Sequence, residues 1–293
     1  MYLLHGEKLG KTAGIVARLD REDAQKLALE VFNHLRSAGF NVLFEQGLAV
    51  LINRLDRAVP LENMDVNLIV IIGGDGTILR TCMRVPRPET PILAIGLGTK
   101  AFLTEISHRE TLEAINLYLK GLYRVESYSK VASFIGGFRL PDALNEVFIT
   151  TRHLSKILHT KIWKNGTEVV ECWADGIIVA SQVGSTAYSF SSGGPIIDPS
   201  LNALIVTPVC PANLIRPIIF PEDSQITIEI LKPKRAMVVI DGDYQKEIGD
   251  GENKVIVRVS EHKVNFIRFK YDFYRRLRER LLFPMGGENE QKA

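Results

Sequence analysis

The fold is constrained most by two aliphatic runs of strand length that lack polar alternation, at residues 68–72 (LIVII) and 92–95 (ILAI). Such runs are typical of parallel strands that are buried on both faces. Residues 14–17 and 41–44 read as two more strands. Apolar residues recur at helical spacing between and after these strands, at Ala24, Leu27, Ala28, Val31 and Leu35 and again at Leu112, Ile115 and Leu119. Gly39 and Gly121 follow these two runs and are predicted to end the helices. The alternation predicts a parallel α/β sheet over residues 1–125.

From about residue 126 the pattern changes to β-like runs separated by turn residues. Residues 157–163 and 169–173 flank the dipeptide Asn165-Gly166, which is a hairpin signal. Further β-like runs follow, at residues 226–230, 236–240, 254–259 and 263–269, and no helical pattern of comparable length accompanies them. We therefore predict a second, β-rich domain over residues 126–269.

A basic amphipathic helix is predicted near the end of the chain. Phe273, Leu277 and Leu281 form an apolar stripe at i, i+4 and i+8. Four arginines flank this stripe (Arg275, Arg276, Arg278 and Arg280). One reading is a membrane or phosphate contact, and the favoured reading is a helix that docks its stripe on a core while its arginines stay solvated. The polar residues 286–293 are expected to be frayed.

Composition excludes several classes of protein. With 36 Lys+Arg against 34 Asp+Glu, the net charge of +2 lacks the basic excess of a dedicated nucleic-acid binder. Cys82, Cys172 and Cys210 form no CxxC pair, so we expect neither a disulfide framework nor a zinc ribbon. No segment resembles a secretory signal or approaches the ~20 apolar residues of a membrane span, and the six histidines show no metal-ligand spacing. The expectation is a cytoplasmic protein that binds neither nucleic acid nor membrane.

The motif Gly73-Gly74-Asp75-Gly76-Thr77 directly follows the first aliphatic run and precedes a helical pattern. Glycines leave the backbone N–H groups open to an anion, and the helix N-terminus adds a favourable dipole. A carboxylate repels phosphate, so Asp75 is useful there only if a hydroxyl must be deprotonated or Mg²⁺ held. The alternative is a tight turn with Asp75 as the helix N-cap.

Two other glycine motifs carry less weight. The stretch at residues 6–12 resembles a P-loop, but it has one residue too few between its glycines and precedes a strand, so we reject it. Residues 96–101 fit G-x-G-x-x-A, but no helical pattern follows immediately. We interpret them as a glycine-rich loop near a ligand.

Two polar segments of the second domain are candidates for ligand contacts. Residues 184–195 concentrate hydroxyls, glycines and Tyr188, and aliphatic runs on both sides argue against a free Ser/Gly linker. Ser185 is not the nucleophile of a G-x-S-x-G motif, because Ala187 occupies the last glycine position. Asn145-Glu146 stands at a strand start, where it could bind ribose hydroxyls or a carboxamide, or form a surface turn.

Taken together, these segments resemble the NAD kinase family, over roughly residues 14–270. The matching pieces run in the family's order: GGDGT at 73–77, FLT at 102–104, NE at 145–146, DG at 175–176, GSTAYS at 184–189, GGP at 193–195 and TPVCP at 207–211. The first motif is shared with lipid kinases and phosphofructokinases, and the GSTAYS segment makes the resemblance specific. Departures from the family pattern are Ala101 in place of glycine, and Ser181-Gln182-Val183 in place of Thr-Pro-Thr.

The resemblance implies an NAD kinase that transfers a phosphoryl group from ATP or polyphosphate to the adenosine ribose 2′-hydroxyl of NAD. The implied cofactor is Mg²⁺ or another divalent cation, held through the phosphates. The resemblance also implies an α/β domain (1–125, rejoined by 270–293), a β-rich nucleotide-binding domain (126–269), NAD between them, and assembly as a homodimer or homotetramer. Asp75 looks like the proton acceptor. The implied nucleotide contacts are Gly74, Gly76, Thr77, Phe102, Asn145, Glu146, Lys156, Asp175, Thr186, Ala187, Tyr188, Ser189, Ser191 and Gln245.

The position of Gln245 depends on aligning Asp243-Tyr244-Gln245 with a family element, and Asp241-Gly242-Asp243 competes for that alignment. The residues alone are also compatible with two other functions. One is a lipid or sugar kinase that shares only the glycine-aspartate loop, and the other is a non-catalytic NAD(P)-binding regulator. Asp75 argues against the regulator, since binding alone gains nothing from its charge.

Overall fold

The computed structural model describes residues 11–98, 101–152, 156–249, 251–270 and 273–282. The start of the P-loop-like stretch at residue 6, two residues of the 96–101 motif (Thr99 and Lys100) and the polar residues 286–293 lie outside the described residues. The chain forms two compact units, one made of Met1–Glu126 and Asn265–Ala293 and the other of Ser127–Val264.

The first unit is an α/β unit built on a parallel sheet. Its strands are β1 (Thr12–Ala17), β2 (Asn41–Glu45), β3 (Ala58–Val59), β4 (Leu68–Gly73), β5 (Ile92–Gly96) and β6 (Ile106–Ser107). Its helices are α1 (Glu22–Ser37), α2 (Gln46–Leu51), α3 (Asp75–Arg84) and α4 (Thr111–Leu119), with 3₁₀ turns at Leu55–Arg57, Leu61–Asn63 and His108–Glu110. The strand order is β5-β4-β1-β2-β3, and all neighbours run parallel. The predicted parallel α/β sheet is confirmed.

Burial explains why these segments fold as they do. All six residues of β4 are buried, as the aliphatic run predicts, and each large side chain contributes roughly 1.5–3 kcal/mol. In α1, the five predicted apolar positions are buried together with Phe32. Acidic residues begin α1 and Arg36 lies in its last turn, in accord with the helix dipole. Gly39 follows with a φ of 86°, a left-handed conformation that glycine adopts without steric cost.

The regular secondary structure described in the second unit is almost entirely β-strand. The strands are β7 (Arg124–Ile135, which begins in the first unit), β8 (Phe138–Arg139), β9 (Glu146–Thr151), β10 (Leu158–Lys164), β11 (Thr167–Ala174), β12 (Gly176–Ala180), β13 (Ala203–Val209), β14 (Ile218–Pro221), β15 (Ile226–Lys232), β16 (Ala236–Ile240), β17 (Tyr244–Ile248) and β18 (Lys254–Arg268, which ends in the first unit). A 3₁₀ turn at Gly184–Thr186 and the short helix α5 (Tyr188–Ser191) interrupt them. The β-rich character predicted for this part of the chain is confirmed.

The strands of the second unit form two groups. One is a six-stranded antiparallel sheet in the order β14-β13-β12-β9-β16-β17. The other runs β11-β10-β15-β18, and β7 pairs with β18 and β8. The predicted hairpin joins β10 and β11, and both Asn165 and Gly166 have positive φ (49° and 83°), as a type I′ turn requires. In the first group, β9 lies between β12 and β16, which places Asn145 and Glu146 beside the central strands.

The last described segment corrects one prediction. In place of a regular amphipathic helix, the chain forms α6 (Phe273–Arg276) and then a π-helical stretch (Leu277–Leu282). Leu277 is buried, as docking of the stripe requires, and Arg275 and Arg278 are exposed as predicted. Arg276 is only 4% exposed and Arg280 is half-buried, against the prediction. The wider π turn breaks the i, i+4 register on which the prediction of solvated arginines depended. No described helix has the length and apolar character needed to cross a bilayer.

Candidate functional site

The glycine motif forms the turn between β4 and α3. Gly73 is packed, because a Cβ there would lie 2.6 Å from the Thr77 hydroxyl oxygen. Gly74 and Gly76 face open space, with no heavy atom within 4 Å of a Cβ built on either. Their backbone is therefore accessible to a ligand at the carboxyl end of a parallel strand, which is where open α/β sheets bind ligands.

A cavity of about 480 Å³ opens over this turn. Its lining consists of residues 73–76, residues of the glycine-rich loop that follows β5, and two arginines that follow β1 (Arg18, Arg21, Gly73, Gly74, Asp75, Gly76, Leu97, Gly98 and Ala101). The backbone N–H of Arg18 donates to the carbonyl of Ile72 at 2.9 Å. This bond fixes the loop that carries Arg18 and Arg21 beside the glycine turn. The lining combines open backbone, two guanidinium groups and one carboxylate, a set suited to a phosphate chain.

Asp75 is the first residue of α3, and Gly74 occupies the N-cap position. The alternative reading of Asp75 as an N-cap is therefore wrong. Its carboxylate instead accepts hydrogen bonds from the N–H groups of Phe102 at 2.8 Å and Leu103 at 2.9 Å. Burial raises the pKa of Asp75 above its usual value, and the two N–H donors and the charges of Arg280 and Arg268 oppose that rise. A carboxylate with a raised pKa is a stronger base than an exposed one.

A second polar cluster lies in the other unit, around the start of β9. The buried carboxylate of Asp241 accepts the N–H groups of Leu144 (2.7 Å), Asn145 (2.8 Å) and Glu146 (3.0 Å). Asp241 has a φ of 47°, and its burial raises the pKa of its carboxyl. The three bonds fix the backbone at Asn145 and Glu146, so the alternative of a surface turn is wrong for this dipeptide.

Glu146 is the most perturbed carboxyl of the cluster. Burial, followed by the negative charge of Asp241, raises the pKa of Glu146 to about 8, although the Tyr188 N–H opposes this rise. Its Oε2 atom is buried without a hydrogen-bond partner among the described residues. At neutral pH the side chain is protonated, so it offers both a donor and an acceptor to a polar ligand.

The segment of residues 184–195 is packed, as the aliphatic runs on both of its sides predict. Gly184 stands against β9 so closely that a Cβ would lie 2.1 Å from the carbonyl oxygen of Asn145. The Ser189 hydroxyl is fully buried and hydrogen-bonded to Thr207 at 2.8 Å, so it holds the segment and is not free for a ligand. Of the remaining predicted contacts, Tyr188 and Ser191 are exposed and Thr186 and Ala187 are half-buried.

The other predicted residues have varied surroundings. The phenol of Tyr188 has its pKa raised by burial and then by the negative charges of Cys210, Asp175 and Glu146, which places these groups near one another. Lys156 and Gln245 are exposed, before β10 and on β17. Thr77 packs on Gly73. Among the described residues, no group of three or more His, Cys, Asp and Glu side chains is arranged to hold a metal ion.

Sequence reasoning missed several residues that shape these sites. Arg18 and Arg21 follow β1 at the same sheet edge as the glycine turn, a signal that strand order would have supplied. Asp241 was noted only as a competing alignment, and its role depends on contacts with residues about a hundred positions away. Arg268 and Arg280 reach the loop beside Asp75 from the C-terminal part of the chain; the basic segment indicated Arg280, and no sequence pattern indicated Arg268.

An open glycine turn and a base-like carboxylate at the end of a parallel strand define this chain as a phosphoryl-transfer enzyme of the kinase type. The N-terminal domain of ATP-NAD kinases matches residues 13–123, and the C-terminal domain of ATP-NAD kinases matches residues 144–269. The chain belongs to the NAD kinase family.

Individual relatives agree with this assignment. The chain is 41% identical to an NAD kinase from Methanothermobacter thermautotrophicus, over 92% of this chain and 95% of the relative, and 37% identical to one from Thermococcus sibiricus, over 89% and 95%. It is similar to the crystal structure of an Archaeoglobus fulgidus NAD kinase in complex with ATP (TM-score 0.75, 26% identity, 92% of this chain and 98% of that one). Yeast NADH kinase complexed with NADH shares the fold (TM-score 0.85, 22% identity, 97% and 90%).

Proposed function

We propose that this protein transfers a phosphoryl group from ATP, or from polyphosphate, to the 2′-hydroxyl of the adenosine ribose of NAD and so makes NADP. The observation that carries the proposal is the Asp75 carboxylate, which is oriented by two backbone N–H groups beside an open glycine turn. Family membership and the names of the relatives support NAD as acceptor, and the Archaeoglobus complex supports ATP as donor.

In this proposal Asp75 accepts the proton of the attacking hydroxyl. A ribose hydroxyl is a weak acid, so a nearby carboxylate with a raised pKa assists as the bond to phosphorus forms. The charge on the transferred phosphoryl group then meets the backbone N–H groups of Gly74 and Gly76, the N-terminus of α3, and the guanidinium groups of Arg18 and Arg21. Asp75 is thus the catalytic residue, and the glycine turn supplies the anion site.

We propose Mg²⁺ as the metal that accompanies the donor. A single carboxylate beside an open anion site fits a cation that phosphate oxygens and water mostly coordinate, a mode that Mg²⁺ prefers. When bound, the cation would neutralise phosphate charge, and Asp75 is the side chain of this cavity able to contact it.

We assign recognition of NAD to the second cluster. Asn145 offers an amide, and Glu146 offers a protonated carboxyl, beside a segment in which Tyr188 is exposed. The remaining candidate contacts follow from the family pattern (Thr77, Phe102, Lys156, Asp175, Thr186, Ala187, Ser191 and Gln245). The same pattern supports a homodimer or homotetramer, and three cysteines that form no disulfide, of which Cys210 is exposed, agree with a reducing cytoplasm.

The direct test incubates the protein with NAD, ATP and Mg²⁺ and detects NADP with an NADP-specific dehydrogenase, with polyphosphate replacing ATP in a second arm. We expect Asp75→Asn to lower kcat by roughly 10²–10⁴-fold while NAD still binds, because the proton acceptor is lost. The amide also leaves one of the two backbone N–H groups without an acceptor, since only its oxygen can accept. The exposed Asp223→Asn, in a turn far along the chain, is the matched control.

Three results would contradict the proposal. Near-normal turnover by Asp75→Asn would remove the assigned role. Phosphorylation of diacylglycerol or a sugar in place of NAD would make the protein a different kinase. Tight binding of NAD or NADP without consumption of the phosphoryl donor would make it a regulator.

A further inference from the structure

The orientation of the Asp75 carboxylate depends on a loop that belongs to neither β4 nor α3. Both carboxylate oxygens are held by peptide N–H groups of that loop, at Phe102 and Leu103. Two bonds of 2.8–2.9 Å to adjacent N–H groups leave the carboxylate little rotational freedom. A shift of residues 101–104 would therefore move the proton acceptor with them.

The backbone carbonyls of this loop are in turn held by two arginines from the end of the chain. Nη1 of Arg280 donates to the carbonyl of Thr104 at 2.7 Å and also to the carbonyl of Ala101. Nη1 of Arg268 donates to the carbonyl of Leu103 at 2.9 Å, while its Nε donates to Glu126 at 3.0 Å. The two guanidinium groups thus hydrogen-bond the carbonyls of the loop whose N–H groups bind Asp75.

The side chain of Phe102 is held by the same C-terminal segment. Its ring packs edge-to-face against Phe273, with centroids 5.8 Å apart, and the guanidinium of Arg276 lies 5.9 Å from its centroid. Arg276 is almost fully buried, whereas Arg278 is exposed. The C-terminal segment therefore holds the backbone of the loop through Arg280 and the side chain of Phe102 through Phe273 and Arg276.

The same arginines also act on the charge of Asp75. Arg280 and Arg268 are the cations that lower the pKa of this carboxyl against the effect of burial. Arg18 and Arg21, from the loop after β1, line the same cavity. Arg18 is paired with Asp20, and Arg21 is paired with Asp23. Arg268 and Arg280 are the cations that also hydrogen-bond the backbone carbonyls of the loop that holds Asp75.

We propose that Arg280 is a positioning residue for Asp75: it fixes the peptides whose N–H groups hold the carboxylate that accepts the proton. The inference rests on the proposed function, since it assigns Arg280 to the base of that reaction. It also gives a task to one residue of the basic segment at the end of the chain, in which Arg280 is half-buried and Arg275 and Arg278 are exposed.

The test compares three variants. Arg280→Met removes the charge and the hydrogen bonds to Ala101 and Thr104. Arg280→Lys keeps the charge but loses the planar guanidinium group, and Arg278→Gln is the matched exposed control. We expect Arg280→Met to lower kcat by about 10–100-fold, as for a base displaced by about 1 Å, and to move the acid limb of the kcat–pH profile to higher pH. We expect Arg280→Lys to lower kcat while leaving the limb in place, and Arg278→Gln to change neither.

A second readout needs no turnover. In protein labelled with carbon-13 at aspartate carboxyls, the Asp75 signal is assigned by its absence in Asp75→Asn, and its titration is followed directly. We expect the midpoint to rise in Arg280→Met and to stay near the wild-type value in Arg280→Lys. If wild-type protein makes no NADP, the proposed function fails, but the titration still tests whether Arg280 acts on Asp75.

The proposal is overturned if Arg280→Met retains the wild-type midpoint and pH limb. A loss of kcat with an unchanged midpoint and a lowered melting temperature would mark a structural role only, and would overturn it as well. If Arg280→Met does not fold, Arg280→Lys decides: full kcat with a wild-type Asp75 chemical shift would refute the positioning role.

Discussion

Glu146 predicts a specific dependence of stability on pH. In the unfolded chain its carboxyl titrates near the usual glutamate value, whereas burial and the charge of Asp241 raise the pKa to about 8 in the folded state. Between these two values the folded state binds the proton and the unfolded state does not. The free energy of unfolding therefore falls as pH rises through this window, by up to about 1.4 kcal/mol per pH unit.

Glu146→Gln keeps the size of the side chain and removes the titration. The quantity of interest is the free energy of unfolding of the wild type minus that of Glu146→Gln. We expect this difference to fall as the pH is raised from about 4.5 to 8 and then to level off. The full shift corresponds to roughly 5 kcal/mol as an upper limit. Contributions from surface groups are largely common to both proteins and cancel in the difference, whereas the coupling between Glu146 and Asp241 is part of the measured effect.

The assay is urea denaturation at a series of pH values, followed by tryptophan fluorescence. Both tryptophans of the chain, Trp163 and Trp173, lie in the second unit, so the signal reports the unit that contains Glu146. Glu222→Gln, at an exposed turn of the same unit, is the control and should give a flat difference. A difference for Glu146→Gln that stays constant within about 0.5 kcal/mol from pH 5 to 8 would refute the reasoning.

Two further predictions concern packing and donor binding. Gly184→Ala would force a Cβ to within 2.1 Å of the Asn145 carbonyl, so we expect a loss of about 3 kcal/mol or more in thermal unfolding followed by circular dichroism, far more than for Gly76→Ala, whose Cβ meets no atom. The double variant Arg18→Gln/Arg21→Gln should raise the KM for the phosphoryl donor by roughly 10–100-fold with little change in the KM for NAD, because charge-assisted contacts to phosphate are lost. Steady-state kinetics beside the exposed Arg36→Gln checks it, and an unchanged donor KM would contradict it.

The sequence predicts features that depend on short stretches of chain. The run at 68–72 and the glycines after it indicate a buried strand and an open turn, because burial on both faces and missing Cβ atoms are local properties. The hairpin at Asn165-Gly166 is predicted for the same reason, since its positive φ angles belong to two adjacent residues. In each case the physical cause lies within a few residues of the signal.

The partners of Asp75 could not be predicted in this way. Its N–H donors lie 27 and 28 residues further along the chain, and Arg280 reaches Ala101 across 179 positions. The burial of the Ser189 hydroxyl could not be predicted either, because it depends on a hydrogen bond to Thr207 on β13. A regular helix was wrong at the end of the chain because a π turn leaves no signature in apolar spacing.

The single exposed thiol has a practical consequence. Cys82 and Cys172 are buried, and Cys210, which follows β13 with a positive φ, is exposed and close enough for its charge to affect the Tyr188 phenol. A maleimide fluorophore would therefore label the native chain at one point, beside the proposed nucleotide cluster, without prior removal of other cysteines. Binding of a dinucleotide could then be followed as a change in emission at that point, independently of any phosphoryl transfer.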